Sequence, residues 1–301
     1  MKKLNELMSL EGRVALITGG CGHLGQTFAA TFMELGADVV LLDIQKEESV
    51  VQSLRNEYST KVICISCDIE QEDDIQKSVA TVLETFNRLD IVVNNAAFVG
   101  TSDLEGWVTS FEKQSLETWR RALEVNLTAP FVLVKYCLEA LRFSGNGSII
   151  NIGSTYGVVG AVMSLYEGTS MGSPAAYAAS KGGLIQFTRW LSTVLAPEIR
   201  VNSISPGGVW RDQPDSFHQR YVERTPLGRM ANEEDFKGII AYLASDASAY
   251  VTGQNIMVDG GWNLLSKTEP AIWQQEETEH YEIQSAWHRS GVSDQFMGIK
   301  I

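Results

Sequence analysis

Long apolar runs are missing from this sequence of 301 residues. No stretch approaches the roughly 18 residues that a helix needs to cross a bilayer. Met1-Lys2-Lys3 has no apolar segment behind it, so the expectation is a cytoplasmic chain without a secretory signal. Basic residues are in deficit: 24 lysines and arginines stand against 37 aspartates and glutamates, a formal charge of −13. That excludes the broad basic footprint of a nucleic-acid or anionic-membrane binder and leaves room for a local basic pocket. The four cysteines are too few for a disulfide scaffold and read as free thiols. Cys64 and Cys67 form a C-x-x-C inside a β-branched run. On a strand such positions face opposite sides, so no redox or zinc pair is expected of them. No H-E-x-x-H or Cys/His cluster is present, so no metal is expected. With seven prolines, no repeat and no Pro/Gly-rich linker, the body to about Gly261 reads as one domain.

What is present is alternation. Short apolar runs at Val14–Thr18, Asp38–Asp43, Val62–Ser66, Ile91–Asn94, Ser148–Ile152, Arg200–Ser205 and Asn255–Val258 read as strands. Amphipathic stretches between them, Leu24–Leu35, Glu72–Phe86, Leu116–Arg142, Ala175–Leu195 and Glu233–Ala244, read as helices. Pro130 is expected to break or kink the third of these. The pattern predicts an α/β protein: a single-domain, Rossmann-type, doubly wound parallel sheet with helices on both faces. Two stretches look added to that body. One is a Gly/Ser/Thr-rich insertion at about 160–174. The other is an extension over 262–301, with Trp262, Trp273, Trp287 and Phe296 set among glutamates.

The first strand runs into Gly19-Gly20-Cys21-Gly22-His23-Leu24-Gly25 and then a helix. Such a turn aims backbone N–H groups and a helix dipole at a pyrophosphate. The second strand ends at Asp43, whose carboxylate can accept from a ribose diol and repels a 2′-phosphate. NAD is therefore expected over NADP. Tyr177 and Lys181 lie four apart on a predicted helix and share a face. To act as a base near neutral pH, the phenol needs a nearby cation to lower its pKa from about 10. Ser154 follows a strand at the carboxyl end where open α/β sheets bind ligands. Asn94-Asn95-Ala96-Ala97 offers small residues beside the cofactor. Asn126 is a polar amide among apolar neighbours that needs a partner, a water or the Lys181 ammonium, unless it is a satisfied structural amide.

Together these residues resemble the short-chain dehydrogenase/reductases over about Leu10 to Gly261. The matching pieces include Thr18-Gly19 with Gly25, Asp43, Asp68-Ile69, Asn94-Asn95-Ala96, Asn126, Ser154, Tyr177 with Lys181, Ser205-Pro206-Gly207 and Val258-Asp259-Gly260-Gly261. The resemblance implies Tyr177 as acid/base, with Lys181 lowering its pKa and holding the nicotinamide ribose. It implies Ser154 as substrate-orienting group and Asn126 as anchor of a water-linked proton relay. Cofactor contacts are implied at Gly19, Cys21, Gly22, His23, Leu24, Gly25, Asp43 and Ile44. Further contacts are implied at Asp68, Ile69, Asn95, Ala96, Ala97, Pro206, Gly207 and Val209, besides Tyr177 and Lys181. It also implies a homo-oligomer, a dimer or tetramer.

Three departures mark this chain. His23 occupies a place usually held by glycine, so Gly19, Gly22 and Gly25 fit G-x-x-G-x-x-G, more usual in the nucleotide-sugar-modifying branch. Arg211 replaces the usual threonine after Pro-Gly. Ser154 and Tyr177 are 23 positions apart, about ten more than usual for the family. The run from Tyr166 to Met171, with Pro206-Gly207-Gly208-Val209, resembles oxidoreductases of flagellin or cell-surface sugar modification. That implies a polyhydroxylated or sugar-derived substrate, bound by the inserted loop and Arg211, His218, Gln219 and Arg220. The expected function is NAD(H)-dependent interconversion of a secondary alcohol and a ketone. The alternatives are a nucleotide-sugar dehydratase or epimerase with no net NADH change, and a non-catalytic NAD-binding subunit.

Overall fold

The computed structural model describes residues 1–99 and 104–264. Its strands are β1 (Val14–Thr18), β2 (Asp38–Asp43), β3 (Val62–Ser66), β4 (Ile91–Asn94), β5 (Gly147–Ile152), β6 (Ile199–Pro206) and β7 (Asn255–Val258). All pair in parallel in the order β3-β2-β1-β4-β5-β6-β7. The inner strands β1, β5 and β6 are buried along almost their whole length because both of their faces are covered.

The helices are α1 (Leu4–Met8), α2 (His23–Glu34), α3 (Glu48–Glu57), α4 (Glu72–Phe86), α5 (Leu116–Leu123), α6 (Ala129–Ser144), α7 (Ala175–Leu195), α8 (Asp215–Glu223) and α9 (Lys237–Ala244). One face of the sheet packs against Phe28 and Phe32 of α2, Leu54 of α3 and Ile240 of α9. The other packs against Ile75 and Val82 of α4, Leu133 and Cys137 of α6 and Leu191 of α7. The sheet is therefore doubly wound. The chain reverses direction across the sheet between β1 and β4, which opens a crevice at their carboxyl ends.

The expected long helix Leu116–Arg142 is instead three pieces. Between α5 and α6 the chain takes a π turn, Glu124–Thr128, closed by the Ala129 N–H donating to the Glu124 carbonyl. Pro130 then falls at the second residue of α6, where a missing N–H is harmless. The stretch is thus interrupted just before Pro130, at the widened turn, in keeping with the break expected of it. Likewise Glu233–Ala244 begins as a 3-10 turn, Glu233–Phe236, capped reciprocally by Asn232 and Asp235.

The compact body runs from Met1 to Asn263. Trp262 is fully buried in it, stacked on Tyr221 at 5.5 Å between ring centroids. The remaining tail aromatics, Trp273, Trp287 and Phe296, lie outside the described residues. Among the described residues no helix is long and apolar enough to cross a membrane.

Candidate active site

A cleft of about 810 Å³ opens above the carboxyl ends of β1, β4, β5 and β6. Its first wall is the glycine-rich turn. Gly19 sits at φ +60°, with the Ala96 Cα only 2.9 Å from where a Cβ would project. A Cβ on Gly25 would lie 2.2 Å from the Gly19 carbonyl oxygen. Any side chain at either place would push the turn apart. Gly22 is the N-cap of α2, so the free N–H groups of that helix face the cleft beside His23 and Leu24.

Neighbouring residues fix this turn in place. The Asn95 and Ala96 N–H groups both donate to Thr18 Oγ1 at 3.0 Å. Asn95 Nδ2 donates to the Thr18 and Gly19 carbonyls at 2.9 and 3.0 Å. The β4 loop is thus stitched to the β1 turn, with Ala97 beside it in the cleft. At the far end Asp43 lines the cleft, its Oδ2 accepting the Cys21 N–H at 2.9 Å. This wall fits a dinucleotide: bare N–H groups for the diphosphate, a close backbone approach, and a fixed carboxylate for a diol.

The second wall holds Ser154, Tyr177 and Lys181. Ala175 and Ala176 favour the helical start of α7, which puts Tyr177 in its first turn and Lys181 one turn on. Ser154 follows β5, and its Oγ accepts the Tyr156 N–H at 3.2 Å, capping a 3-10 turn, Thr155–Gly157. Ser154, Tyr177 and Lys181 all line the cleft. The Ser154 hydroxyl favours the ionised form of the Tyr177 phenol. Burial outweighs that influence and pushes Tyr177 above its ordinary range. Lys181 is buried, with Nζ 6.0 Å from the Tyr177 ring centroid, and burial pushes it down to about 8. Its ammonium donates to the Ile152 carbonyl at 2.7 Å.

Asn126 lies within the π turn, fully buried. Its Oδ1 accepts the Phe98 N–H at 2.7 Å. Its Nδ2 donates to the Phe98 carbonyl at 3.2 Å and to Ser180 Oγ at 2.9 Å. Ser180 Oγ in turn donates to the Tyr177 carbonyl at 2.8 Å. The amide's partners are therefore a loop and α7, rather than the Lys181 ammonium.

Pro206, Gly207 and Val209 close the cleft as expected. Several expected contacts are not among its lining residues. Cys21 and Gly25 lie behind the turn, Ile44 points outward at 62% exposure, and Asp68 accepts the Glu70 N–H at 3.0 Å. Ile69 borders a separate small cavity with Thr18 and Ala96.

The sequence reading missed the aromatic end. Tyr156, Tyr166, Phe217 and Tyr221 line the cleft with Met171. The Tyr166 hydroxyl donates to the Tyr156 hydroxyl at 3.0 Å, and the Tyr166 and Phe217 rings lie 5.4 Å apart. The one signal in the sequence is that Tyr156 and Tyr166 fall between Ser154 and Tyr177, one just before the inserted stretch and one within it. Of the four polar side chains expected to bind a sugar, only Arg211 lines the cleft, and it pairs with Glu233 at 3.2 Å. His218 packs on Trp210, and Gln219 donates to Glu223 at 3.0 Å. Arg220 donates to the Ser164 and Leu165 carbonyls at 3.3 and 2.8 Å, which anchors the inserted segment.

A family model described as enoyl-(acyl carrier protein) reductase matches residues 22–263. The 3-oxoacyl-[acyl-carrier-protein] reductase FabG of Thermotoga maritima is 32% identical over 263 residues, covering 84% of this chain and 99% of that protein. A short chain dehydrogenase from Leptospira borgpetersenii, solved with bound NAD+, matches at TM-score 0.75 and 33% identity, covering 87% of this chain and 96% of that one. The chain belongs to the short-chain dehydrogenase/reductase family. A further relative is the trans-4-hydroxycyclohexanecarboxylate dehydrogenase of Sinomonas cyclohexanicum, 32% identical over 257 residues, 83% of this chain and 92% of that protein. As a short-chain dehydrogenase/reductase, the protein is an oxidoreductase of alcohols and ketones, acting on small molecules with a nicotinamide dinucleotide.

Proposed function

We propose that the protein is an NAD(H)-dependent dehydrogenase/reductase that interconverts a secondary alcohol and a ketone on a ring-shaped, polyhydroxylated or sugar-like substrate. The observation that carries the chemistry is the convergence of Ser154, Tyr177 and the buried Lys181 on one cleft. The dinucleotide, when bound, accepts or gives the hydride. Ser154 donates a hydrogen bond to the substrate oxygen, where charge develops. Tyr177, protonated at neutral pH because burial raises it, delivers its proton to a ketone oxygen. In the oxidising direction the same phenol oxygen takes up the alcohol proton. Lys181 places a positive charge beneath the ring and favours the phenolate. Asn126 is a positioning residue that holds α7 to the Phe98 loop.

The preference for NAD rests on Asp43. Its carboxylate is oriented by the Cys21 N–H and would face a 2′-phosphate with like charge. The ring-shaped substrate rests on the aromatic wall of Tyr156, Tyr166 and Phe217, which offers flat faces and phenolic hydroxyls to a saturated ring. Assembly as a homodimer or homotetramer is supported by exposed Phe131 on α6 and Trp190 on α7.

The test is a screen of cyclic polyols, sugars and their ketones with NAD and NADP, followed by nicotinamide absorbance. Net NADH formation or consumption, with NAD the better cofactor, is expected. Turnover with no net NADH change would favour a dehydratase or epimerase. NADH binding without turnover of any substrate would favour a binding subunit.

A further inference from the structure

The C-x-x-C motif is split by the sheet. Cys64 on β3 packs on the α2 side, and Cys67, just past the end of β3, is buried on the α4 side. The neighbour of Cys64 comes from elsewhere in the chain. Cys21, in the glycine-rich turn, places its sulfur 3.7 Å from that of Cys64. A disulfide needs about 2.05 Å between sulfurs. Both thiols are free.

We propose that Cys21 and Cys64 form an oxidisable dithiol, a modification site that couples thiol oxidation to occupancy of the dinucleotide cleft. The oxidant class is a small peroxide, which can reach a sulfur on the half-buried edge strand. The Cys64 thiol loses its proton as its sulfur attacks one peroxide oxygen; the O–O bond breaks, leaving a sulfenic acid and one water. The Cys21 thiol then attacks that sulfur, the S–O bond breaks, and the second water leaves. Two thiols and one hydrogen peroxide become one disulfide and two waters. Burial holds both thiols protonated at neutral pH, and at Cys21 it outweighs the hydrogen bond from the Glu47 backbone that favours the thiolate. The pair therefore answers sustained rather than fleeting exposure.

The coupling is mechanical. Closing the sulfurs draws Cys21 toward β3. The turn has no slack to absorb this, since Gly20 already lies so close to β2 that a Cβ there would sit 2.7 Å from the Leu41 Cβ. The movement passes to the Cys21 N–H on Asp43 and to Gly22 at the start of α2. Dinucleotide affinity is expected to fall at least fivefold. By linkage, bound NADH disfavours the disulfide by the same factor.

The effect on affinity rests on the function proposed above, whereas the thiol chemistry does not. The experiment incubates the whole protein with hydrogen peroxide, then counts thiols and maps cross-linked peptides by mass spectrometry. NADH binding is followed by fluorescence in parallel. Two of the four thiols should disappear into a Cys21–Cys64 peptide pair, NADH affinity should drop, and dithiothreitol should restore both. Cys64→Ser and Cys64→Ala should bind NADH as the reduced wild type does and lose the response. Retention of all four thiols, or a cross-link that omits Cys21 or Cys64, overturns the modification site. A Cys21–Cys64 cross-link with unchanged NADH affinity overturns the coupling. Reduced protein that binds no dinucleotide refutes the proposed function and leaves the peptide map to decide the disulfide.

Discussion

The Lys181 ammonium donates to the main-chain carbonyl of Ile152 at 2.7 Å, and burial pushes it down from 10.5 to about 8. A cation is thus stored beneath Tyr177 at the end of β5. Between pH 8 and 10.5 the unfolded chain keeps a proton here that the folded chain has lost, so this group makes stability rise with pH. Lys181→Met removes the buried charge. Below pH 8 the variant should be more stable by on the order of 2–3 kcal/mol, less about 1 for the abandoned Ile152 carbonyl. Above pH 10 that advantage should vanish. Thermal unfolding of both proteins from pH 6 to pH 10.5 checks it, and a gap that widens with pH would contradict the assignment.

Tyr177→Phe keeps the ring and deletes the hydroxyl proposed to carry the proton. Turnover should fall by at least about a thousandfold, with NADH affinity within threefold of wild type. Since the phenol is raised by burial, ketone reduction by the wild type should hold steady through neutral pH and decline only under alkaline conditions. A rate-versus-pH series that declines already from pH 6 to 8 would conflict with this reading.

Much of this site was legible in the sequence because it depends on local spacing. Tyr177 and Lys181 are one helical turn apart, and each strand that ends in the cleft is a short β-branched run. Other features depend on contacts that no spacing encodes. The pKa of Tyr177 follows from how much protein covers it. Asn126 turns toward Phe98 and Ser180 because a π turn, unforeseen in the long amphipathic stretch, rotates it there. The aromatic wall is assembled from Tyr156, Tyr166 and Phe217, which share no period. Helices α3 and α8 were missed because each is short and strongly polar.

Asp43→Asn keeps an acceptor for the Cys21 N–H and deletes the charge. The ratio of kcat/KM for NAD over NADP should shrink about tenfold, or roughly 1.4 kcal/mol of discrimination. An unchanged ratio would mean that Asp43 does not select the cofactor.

Asn126→Ala should cost about 2–4 kcal/mol in urea unfolding, because it orphans the Phe98 N–H in a buried place and removes two further bonds. Asn126→Asp should recover part of that loss, since it still accepts from Phe98. Equal instability of the two variants would argue that packing rather than hydrogen bonding matters there.

Tyr166→Ala opens the aromatic wall and leaves Ser154, Tyr177 and Lys181 in place. KM for ring substrates should rise about tenfold, with a much smaller change in kcat. Steady-state kinetics on one cyclic and one open-chain alcohol checks it, and an equal effect on both would dismiss the wall as a specificity element.

The bonds from Arg220 to the Ser164 and Leu165 carbonyls join the inserted segment to α8, and Leu165 shares a buried cluster with Phe217 and Tyr221. The two segments that shape the substrate side therefore behave as one plate. A ligand that orders Met163–Tyr166 also orders Asp215–Glu223, so amide exchange in both should slow together. A change of substrate by mutation is then a change to the plate, and residues on α8 that never touch the ligand can retune what the cleft admits.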